Sequence, residues 1–172
     1  MPFELRPYPT PTLQPEGSYL KTAWVESVYP LAARMGVEIR LPEVSPQPYT
    51  RLAFEGLEFA KDHGLGDGYN SGVMRAFYQR SQDIGTPAVL ADIAADVGLP
   101  KAEFEAALRA HTYSDRVREL LRYANEEVRV TGVPLFLIGD LRLSGVQPQS
   151  TLEAAIEQQL SIGSPPAPLS NL

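Results

Sequence analysis

Residues 132–144 read GVPLFLIGDLRLS, and this stretch decides the class of fold. Its apolar run, Leu135–Ile138, lies between a proline and a glycine, is too short for a helix and is typical of a buried strand. Residues 141–144 alternate apolar and polar side chains, which predicts a half-exposed strand. Only Gly139 and Asp140 separate the two strands, and a glycine at the first turn position favours a type II′ turn. The stretch therefore predicts a β-hairpin.

The segments that follow the hairpin and that open the chain add one helix and one strand. Residues 150–153 read STLE, a capping-box pattern that predicts the start of a helix. The residues expected on the buried side of this last helix are Leu152, Ala155, Ile156 and Leu160. Residues 3–6 alternate apolar and polar side chains, which predicts a short N-terminal strand.

The long middle part of the chain is predicted to be helical, because its apolar residues recur at three- and four-residue steps. The expected helices are one that carries Leu20 to Met35 and is kinked at Pro30, others near residues 50–63, 70–82, 86–98 and 113–130, and a short one that Pro100 opens. Thr50 and Thr86 are the expected N-caps. A lone strand and a hairpin, separated by this helical part, do not make a sheet with an interior.

The composition of the 172-residue chain excludes several classes of function. A net charge of −6 leaves no electrostatic footprint for nucleic acid or for an anionic membrane. The absence of cysteine excludes a disulfide scaffold, a cysteine-ligated metal and any thiol chemistry carried by this chain alone. The sequence has no apolar run of about 18 residues that could span a bilayer. It also shows no signal-peptide pattern, so a cytoplasmic location is expected.

The hairpin region resembles the C-terminal half of the DsbA family of thioredoxin-fold proteins. Residues 132–138, GVPLFLI, and residues 143–148, LSGVQP, are similar to the sequence motifs that precede the last helix in that family. Residues 83–99, with the segments DIG, VL, IA and GL, are similar to the helical insert of its FrnE-like branch. The opening residues 3–7, FELRP, look like the second strand of the thioredoxin module. The resemblance covers about residues 2–160.

The resemblance implies an α/β fold with an incomplete thioredoxin-like sheet and a large all-helical insertion. The expected domains are a partial thioredoxin-like domain of residues 2–8 and 131–161, a helical insertion of residues 18–130 and a flexible tail of residues 162–172. The sequence is then expected to begin at the family's second strand, without the first strand and the helix that carries Cys-x-x-Cys. Either that segment was lost or the true start lies upstream.

The resemblance also implies what chemistry remains. Thiol–disulfide exchange requires a thiolate, so the chain is expected to be redox-inactive on its own, and we assign no catalytic residue and no metal ligand. Val133 and Pro134 match the family's loop in which the proline is cis and the preceding residue offers backbone groups to a peptide or to glutathione. We predict that the Val133–Pro134 bond is cis and that these two residues bind substrate. Apart from glutathione, no cofactor is expected.

Other candidate residues favour structural roles. Asp62 and His63 could hold a metal, but two histidines far apart make a metal site a weak hypothesis, and a solvated helix end is favoured. His111 is expected in a turn. The glycines within residues 64–72 lack the preceding strand and following lysine of a phosphate loop, so a flexible loop between helices is favoured.

Two further sets of side chains have both a functional and a structural interpretation. One set consists of aromatic residues that could line a ligand cavity between the insert and the sheet, although core packing is favoured: Trp24, Tyr29, Phe54, Phe59, Phe77 and Tyr78. The arginines of residues 116–129 alternate with glutamates, which indicates a solvated helix face and not a nucleic-acid surface.

Three hypotheses of function follow. The first is a FrnE-like DsbA-family protein that lacks the family's redox element. The second is a relative of the glutathione-dependent 2-hydroxychromene-2-carboxylate isomerases and kappa glutathione transferases, whose reactive serine belongs to the missing segment. The third is a non-enzymatic binding protein, because an unpaired strand edge is a template for another chain. It predicts either a homodimer or pairing of residues 3–6 with the hairpin.

Overall fold

Helices and one β-hairpin make up the part of the chain that the computed structural model describes, residues 1–163. The helices are α1 (Ser18–Ala23), α2 (Tyr29–Met35), α3 (Arg51–Asp62), α4 (Gly66–Tyr78), α5 (Pro87–Asp96), α6 (Lys101–Arg109), α7 (Ser114–Arg122) and α8 (Gln149–Gly163), and the strands are β1 (Leu135–Ile138) and β2 (Leu141–Ser144). The predicted α/β class and the helical middle part are confirmed. Within the described residues, no helix is both long and apolar enough to cross a membrane.

The chain divides into two compact units, Met1–Ala124 and Asn125–Leu172. The first unit holds α1 to α7, and the second holds the hairpin and α8. The assignment of residues 2–8 to one domain with residues 131–161, and of residues 18–130 to an insertion, stays a prediction. Most of the expected tail, residues 164–172, lies outside the described residues.

The first predicted helix changes its winding before Pro30. A π-helical turn, Trp24–Val28, joins α1 to α2, and Pro30 is the second residue of α2. Proline has no N–H to donate to the carbonyl four residues earlier, so the ordinary α-helical ladder cannot continue through it. A π turn is one of the known causes of a helix kink, and the irregularity lies where the sequence predicts one.

The core of the first unit lies around α3, which contacts α4, α5, α6 and α7. Phe104 is fully buried, and its ring packs edge-on against Phe59 at 5.3 Å and tilted against Tyr69 at 5.5 Å. Gly56 allows this packing, because a Cβ there would lie 2.7 Å from Cζ of Phe104 and would collide with the Tyr69 hydroxyl. The absence of a side chain at Gly56 therefore sets how closely α3 approaches its neighbours.

Helix α4 corrects the prediction of a glycine-rich loop. It begins at Gly66 and not near residue 70, so Gly68 and Gly72 are helical. A Cβ on Gly72 would lie 2.7 Å from Cγ2 of Ile93, so this glycine permits close contact between α4 and α5. Burial of Tyr69 on the same helix outweighs the low helix propensity of glycine, a tertiary effect that composition does not show.

The hairpin has the predicted strand positions and turn length, but β1 is not the buried strand that its apolar run predicts, because Leu137 is 47% exposed and its neighbours are half-buried. Leu135 pairs with Ser144 and Ile138 with Leu141 in an antiparallel register, which leaves a two-residue turn. Gly139 has a φ of +55°, whereas Asp140 is outside the left-handed region, as a type II′ turn requires. The side-chain amide of Gln159 from α8 lies where a Cβ on Gly139 would be, but this flexible side chain can move, so it is the positive φ of the turn that favours glycine.

Two predictions, the N-terminal strand and the start of the last helix, are wrong. Phe3–Arg6 forms no strand, and the sheet of the described residues contains β1 and β2 only, so pairing of these residues with the hairpin is not observed. Helix α8 begins at Gln149, which places Ser150 inside the helix instead of at its N-cap. Thr50 and Thr86 are the N-cap residues of α3 and α5, as predicted, although neither side chain makes a capping hydrogen bond.

The apolar side of α8 is also less buried than predicted. Ala155 is buried and Leu152 is half-buried, whereas Ile156 and Leu160 are exposed. A hairpin and one helix offer too little surface to cover every apolar position of that helix. The periodic pattern therefore identifies which residues share one face of α8, but other residues cover only part of that face.

Candidate functional site

The predicted substrate-binding loop consists of Gly132, Val133 and Pro134, and we call it the cis-proline loop. The Val133–Pro134 peptide bond is cis, as predicted. Pro134 leads directly into β1, and all three residues are exposed, Val133 to 50%. The loop is thus an accessible segment held at the start of an ordered strand.

Hydrogen bonds from the end of β2 fix one side of this loop. The Gly145 N–H donates to the carbonyl of Pro134 at 2.9 Å. The Gln147 side chain donates to the carbonyl of Ser144 at 2.7 Å. Among residues 1–163, we find no hydrogen bond to the N–H of Val133. An exposed and unpaired backbone donor beside a strand can bind an extended peptide through the main chain.

The second unit also presents apolar side chains near its strands. Val146 follows β2 and is 44% exposed, and Leu137 in β1 is 47% exposed. Side chains of this kind supply contact area to a bound partner. The second unit therefore combines these exposed apolar residues with a Val133 N–H for which residues 1–163 supply no acceptor.

A second candidate region lies on α3, where charged residues occupy one face. Arg51, Glu55, Glu58 and Asp62 recur at steps of four, three and four residues. Arg51 donates two hydrogen bonds to Glu4, from Nε at 2.9 Å and from Nη2 at 2.8 Å. This bidentate pair raises the pKa of Arg51, chiefly through the hydrogen bonds to Glu4.

Glu55 pairs with His111, a pair that the sequence does not reveal. The Glu55 side chain is 2% exposed, and Nδ1 of His111 lies 3.2 Å and 3.3 Å from its two carboxylate oxygens. His111 lies in the turn between α6 and α7, as predicted, but 56 residues from its partner. The available signal is an acid at the border between the charged and apolar faces of α3, three residues after Leu52 and four before Phe59.

Asp62 belongs to a network of ion pairs and hydrogen bonds. Arg116 donates to Asp62 at 2.8 Å, and the Tyr113 hydroxyl donates to it at 2.9 Å. The hydrogen bond from Arg116, followed by that from Tyr113, lowers the pKa of Asp62. The described residues contain no group of three or more histidine, aspartate or glutamate side chains that could hold a metal ion.

His63 stands at the end of α3, as the favoured interpretation predicted. Its Nδ1 lies 2.9 Å from the carbonyl of Phe59, and its ring stacks on the Phe59 ring at 4.2 Å. The imidazole therefore satisfies a carbonyl of the last helical turn.

The aromatic residues named from the sequence lie mainly in packing contacts. Trp24 and Phe59 are buried, and Trp24 packs edge-on against Tyr29 at 5.4 Å. Burial raises the pKa of Tyr78. Tyr29 stays 39% exposed, so the first unit does not enclose every member of the set.

Comparison with known families identifies the class of protein. The model of the DSBA-like thioredoxin domain matches residues 2–157. The chain therefore belongs to the DsbA-like thioredoxin family, which the hairpin sequence predicted. Protein YwbO of Bacillus subtilis (strain 168) is 46% identical over 160 residues, which are 92% of this chain and 80% of YwbO.

Two solved structures share the fold. A probable DsbA oxidoreductase, SCO1869 from Streptomyces coelicolor, superposes with a TM-score of 0.74 at 23% identity, over 91% of this chain and 66% of that one. A 2-hydroxychromene-2-carboxylate isomerase superposes with a TM-score of 0.66 at 21% identity, over 85% of this chain and 70% of the isomerase. At these identities the likeness shows the fold alone. The chain spans about two thirds of the Streptomyces protein's length.

Proposed function

We propose that the chain is a FrnE-like member of its family that binds an extended peptide or a thiol compound at the cis-proline loop without exchanging disulfides itself. One observation carries the proposal: the family match covers residues 2–157, yet the 172 residues contain no cysteine. The proposal includes a cytoplasmic location, which fractionation of cells would test.

The absence of redox activity follows from the chemistry of exchange. A thiolate must attack a disulfide sulfur, and no side chain other than cysteine supplies one. In an insulin reduction assay with a redox buffer, we expect these 172 residues to give the rate of the buffer alone. Catalysed turnover would contradict the proposal, and a Cys-x-x-Cys thioredoxin serves as the positive control.

Binding at the loop is tested by blocking it. We expect Val133→Trp to cover the neighbouring N–H and to weaken binding of an extended peptide by about tenfold, or about 1.4 kcal/mol. Val37→Trp is the matched control, because Val37 is 51% exposed and lies in the other unit. Calorimetry measures both variants. Equal affinities for the two variants would exclude the loop as the site.

The second candidate function is that of a glutathione-site relative of the isomerases. The superposition on a 2-hydroxychromene-2-carboxylate isomerase favours it at the level of fold. Calorimetry with glutathione separates this candidate from peptide binding. We expect heat of binding at millimolar glutathione that Val133→Trp reduces, and an absence of heat would exclude this candidate.

The third candidate is a homodimer formed through the second unit. The sheet of the described residues has two strands, and Leu137 and Ile156 are each 47% exposed. Pairing with a second copy would cover such an edge. Light scattering should then report twice the chain mass, and Leu137→Glu should reduce it to a monomer. Val25→Glu, at a residue that is 65% exposed in the first unit, should leave the dimer intact. A monomeric parent protein would exclude the dimer.

A further inference from the structure

Among the described residues, Glu55 is the buried acid of α3 that forms no ion pair or hydrogen bond with a lysine or arginine, although the charge of Arg51 acts on it. Nearby acids are paired: Glu4 with Arg51 at 2.8 Å, and Glu58 with Lys61 at 2.6 Å. Among the described residues, Glu55 makes its one ion-pair contact with His111. A carboxylate has about four acceptor positions, so a single imidazole leaves part of this buried group's hydrogen-bonding capacity unused.

The carboxylate lines a cavity of about 410 Å³ in the first unit. Asp83 and Arg51 also line it, but Arg51 is already bound to Glu4. A second cavity of about 510 Å³ shares Leu52 and His111 with the first. It adds an apolar lining from Pro87, Ala88 and Leu108, and a charged pair of side chains of opposite sign, Glu105 and Arg109. Both are grooves open to solvent, and their volumes are in the range that small-molecule ligands occupy.

His111 is positioned between these cavities by an uncommon backbone conformation. Its φ is +51°, in the left-handed region that residues other than glycine seldom adopt, and its side chain is 65% exposed. Such a conformation persists where the surrounding structure enforces it. The result is an imidazole that borders both cavities and touches the buried carboxylate.

We propose that the adjoining cavities bind a small organic cation, an alkylammonium or arylalkylammonium. The ammonium group hydrogen-bonds to Glu55, because the first cavity is lined by two carboxylates and by one arginine, Arg51, whose hydrogen bonds go to Glu4 while its charge also acts on Glu55. The apolar part of the ligand contacts Leu52, which lines both cavities, and extends into the second cavity. The site lies within Met1–Ala124, so it is independent of the function proposed for the cis-proline loop.

Benzylammonium and its neutral analogue benzyl alcohol test the charge requirement. Titrations followed by ¹⁵N–¹H NMR should show saturable shifts at the amides of Leu52, Glu55 and His111. We expect benzylammonium to bind at least about tenfold more tightly than the alcohol, since hydrogen bonds to charged groups are the stronger ones. Equal affinity of the two probes, or shifts confined to other residues, would overturn the proposal.

Variants test the role of the carboxylate. Glu55→Gln should weaken benzylammonium binding by about tenfold, whereas Glu119→Gln, at an exposed position on α7, should leave it unchanged. If circular dichroism shows that Glu55→Gln does not fold, His111→Ala tests the site instead. This variant removes an exposed side chain and leaves the Glu55 carboxylate without its imidazole partner. His111→Ala should bind benzylammonium as tightly as the parent or more tightly. Loss of binding in His111→Ala, or unchanged binding in folded Glu55→Gln, would contradict the site.

Discussion

The two units of the chain differ in how completely they bury their apolar side chains. In Met1–Ala124, the side chains of Leu90, Phe104 and Val117 are fully buried. In the described part of Asn125–Leu172, the buried apolar residues are Val128 and Ala155. The apolar positions of both units follow the periodicity of their helices and strands.

This difference shows that an apolar pattern marks a face without guaranteeing that the face is covered. Several helices around α3 can enclose each other's apolar stripes. Two strands and one helix cannot, since a hairpin with little packing against it buries only part of its surface. The partly covered residues of the second unit are therefore the ones that a bound peptide or a second copy would contact.

The largest expected effect compares one core leucine with one exposed isoleucine. Leu90→Ala should lower the free energy of unfolding by about 2–5 kcal/mol, because it removes fully buried methyl groups. Ile156→Ala, at a residue that is 47% exposed, should change it by about 0.5 kcal/mol or less. Urea unfolding followed by circular dichroism measures both. Losses of equal size would show that α8 is more deeply buried than this structure indicates.

A smaller effect tests the close packing of the first unit at Gly56. Gly56→Ala should lower the free energy of unfolding by about 1–3 kcal/mol, because the new Cβ collides with Phe104. Gly68→Ala is the control: its Cβ would meet Val97 at an ordinary 3.7 Å. The control should be neutral or stabilising by about 0.5 kcal/mol, since alanine favours the helix. Destabilisation by both variants to the same extent would refute the packing argument.

The next effect concerns a buried hydroxyl in the same core. Oη of Tyr69 is buried without a hydrogen-bond partner among the described residues, and burial strongly raises the pKa of Tyr69. Tyr69→Phe should therefore be neutral or stabilising by about 1 kcal/mol. Tyr113→Phe, which removes a hydrogen bond to Asp62, should cost about 0.5–1.5 kcal/mol. Thermal unfolding distinguishes the two, and a marked loss in Tyr69→Phe would indicate an unrecognised partner for its hydroxyl.

The smallest effect is a pH dependence at the surface of the first unit. The hydrogen bonds from Arg116 and Tyr113 lower the pKa of Asp62 in the folded state. Its contribution to stability is therefore present above the unfolded pKa of about 3.9 and is lost as the pH falls through the lower folded pKa. Asp62→Asn should make acid unfolding less steep below about pH 4.

Asp96→Asn is the control for this pH effect, because Asp96 is exposed and no ion pair is found for it in the described part of the chain. Acid titration followed by circular dichroism should show the parent's profile for Asp96→Asn. A profile for Asp62→Asn that coincides with the control would mean that the Arg116 pair adds nothing measurable.

Local sequence patterns are sufficient to predict those elements whose formation depends on neighbouring residues in the chain. The hairpin Leu135–Ser144 follows from a short apolar run, a two-residue turn and an alternating strand, all within ten positions. Helix α5 follows from Pro87 at its first position and from apolar spacing, and it was predicted with small errors at its ends. Family membership was also readable, because the residues that indicate it are contiguous.

Long-range packing decided the rest. The glycines of α4 are helical because Gly72 packs closely against Ile93 of α5. These two residues are 21 positions apart, so no local sequence pattern reveals their contact. Glu55 and His111 meet because α3 and the turn after α6 are brought together, and no local spacing relates two residues 56 positions apart. The sequence alone established the elements and the family, since these depend on neighbours along the chain. Which side chains meet, which apolar faces stay exposed and where a buried carboxylate finds its partner depend on neighbours in space, and these exist only once the helices have packed.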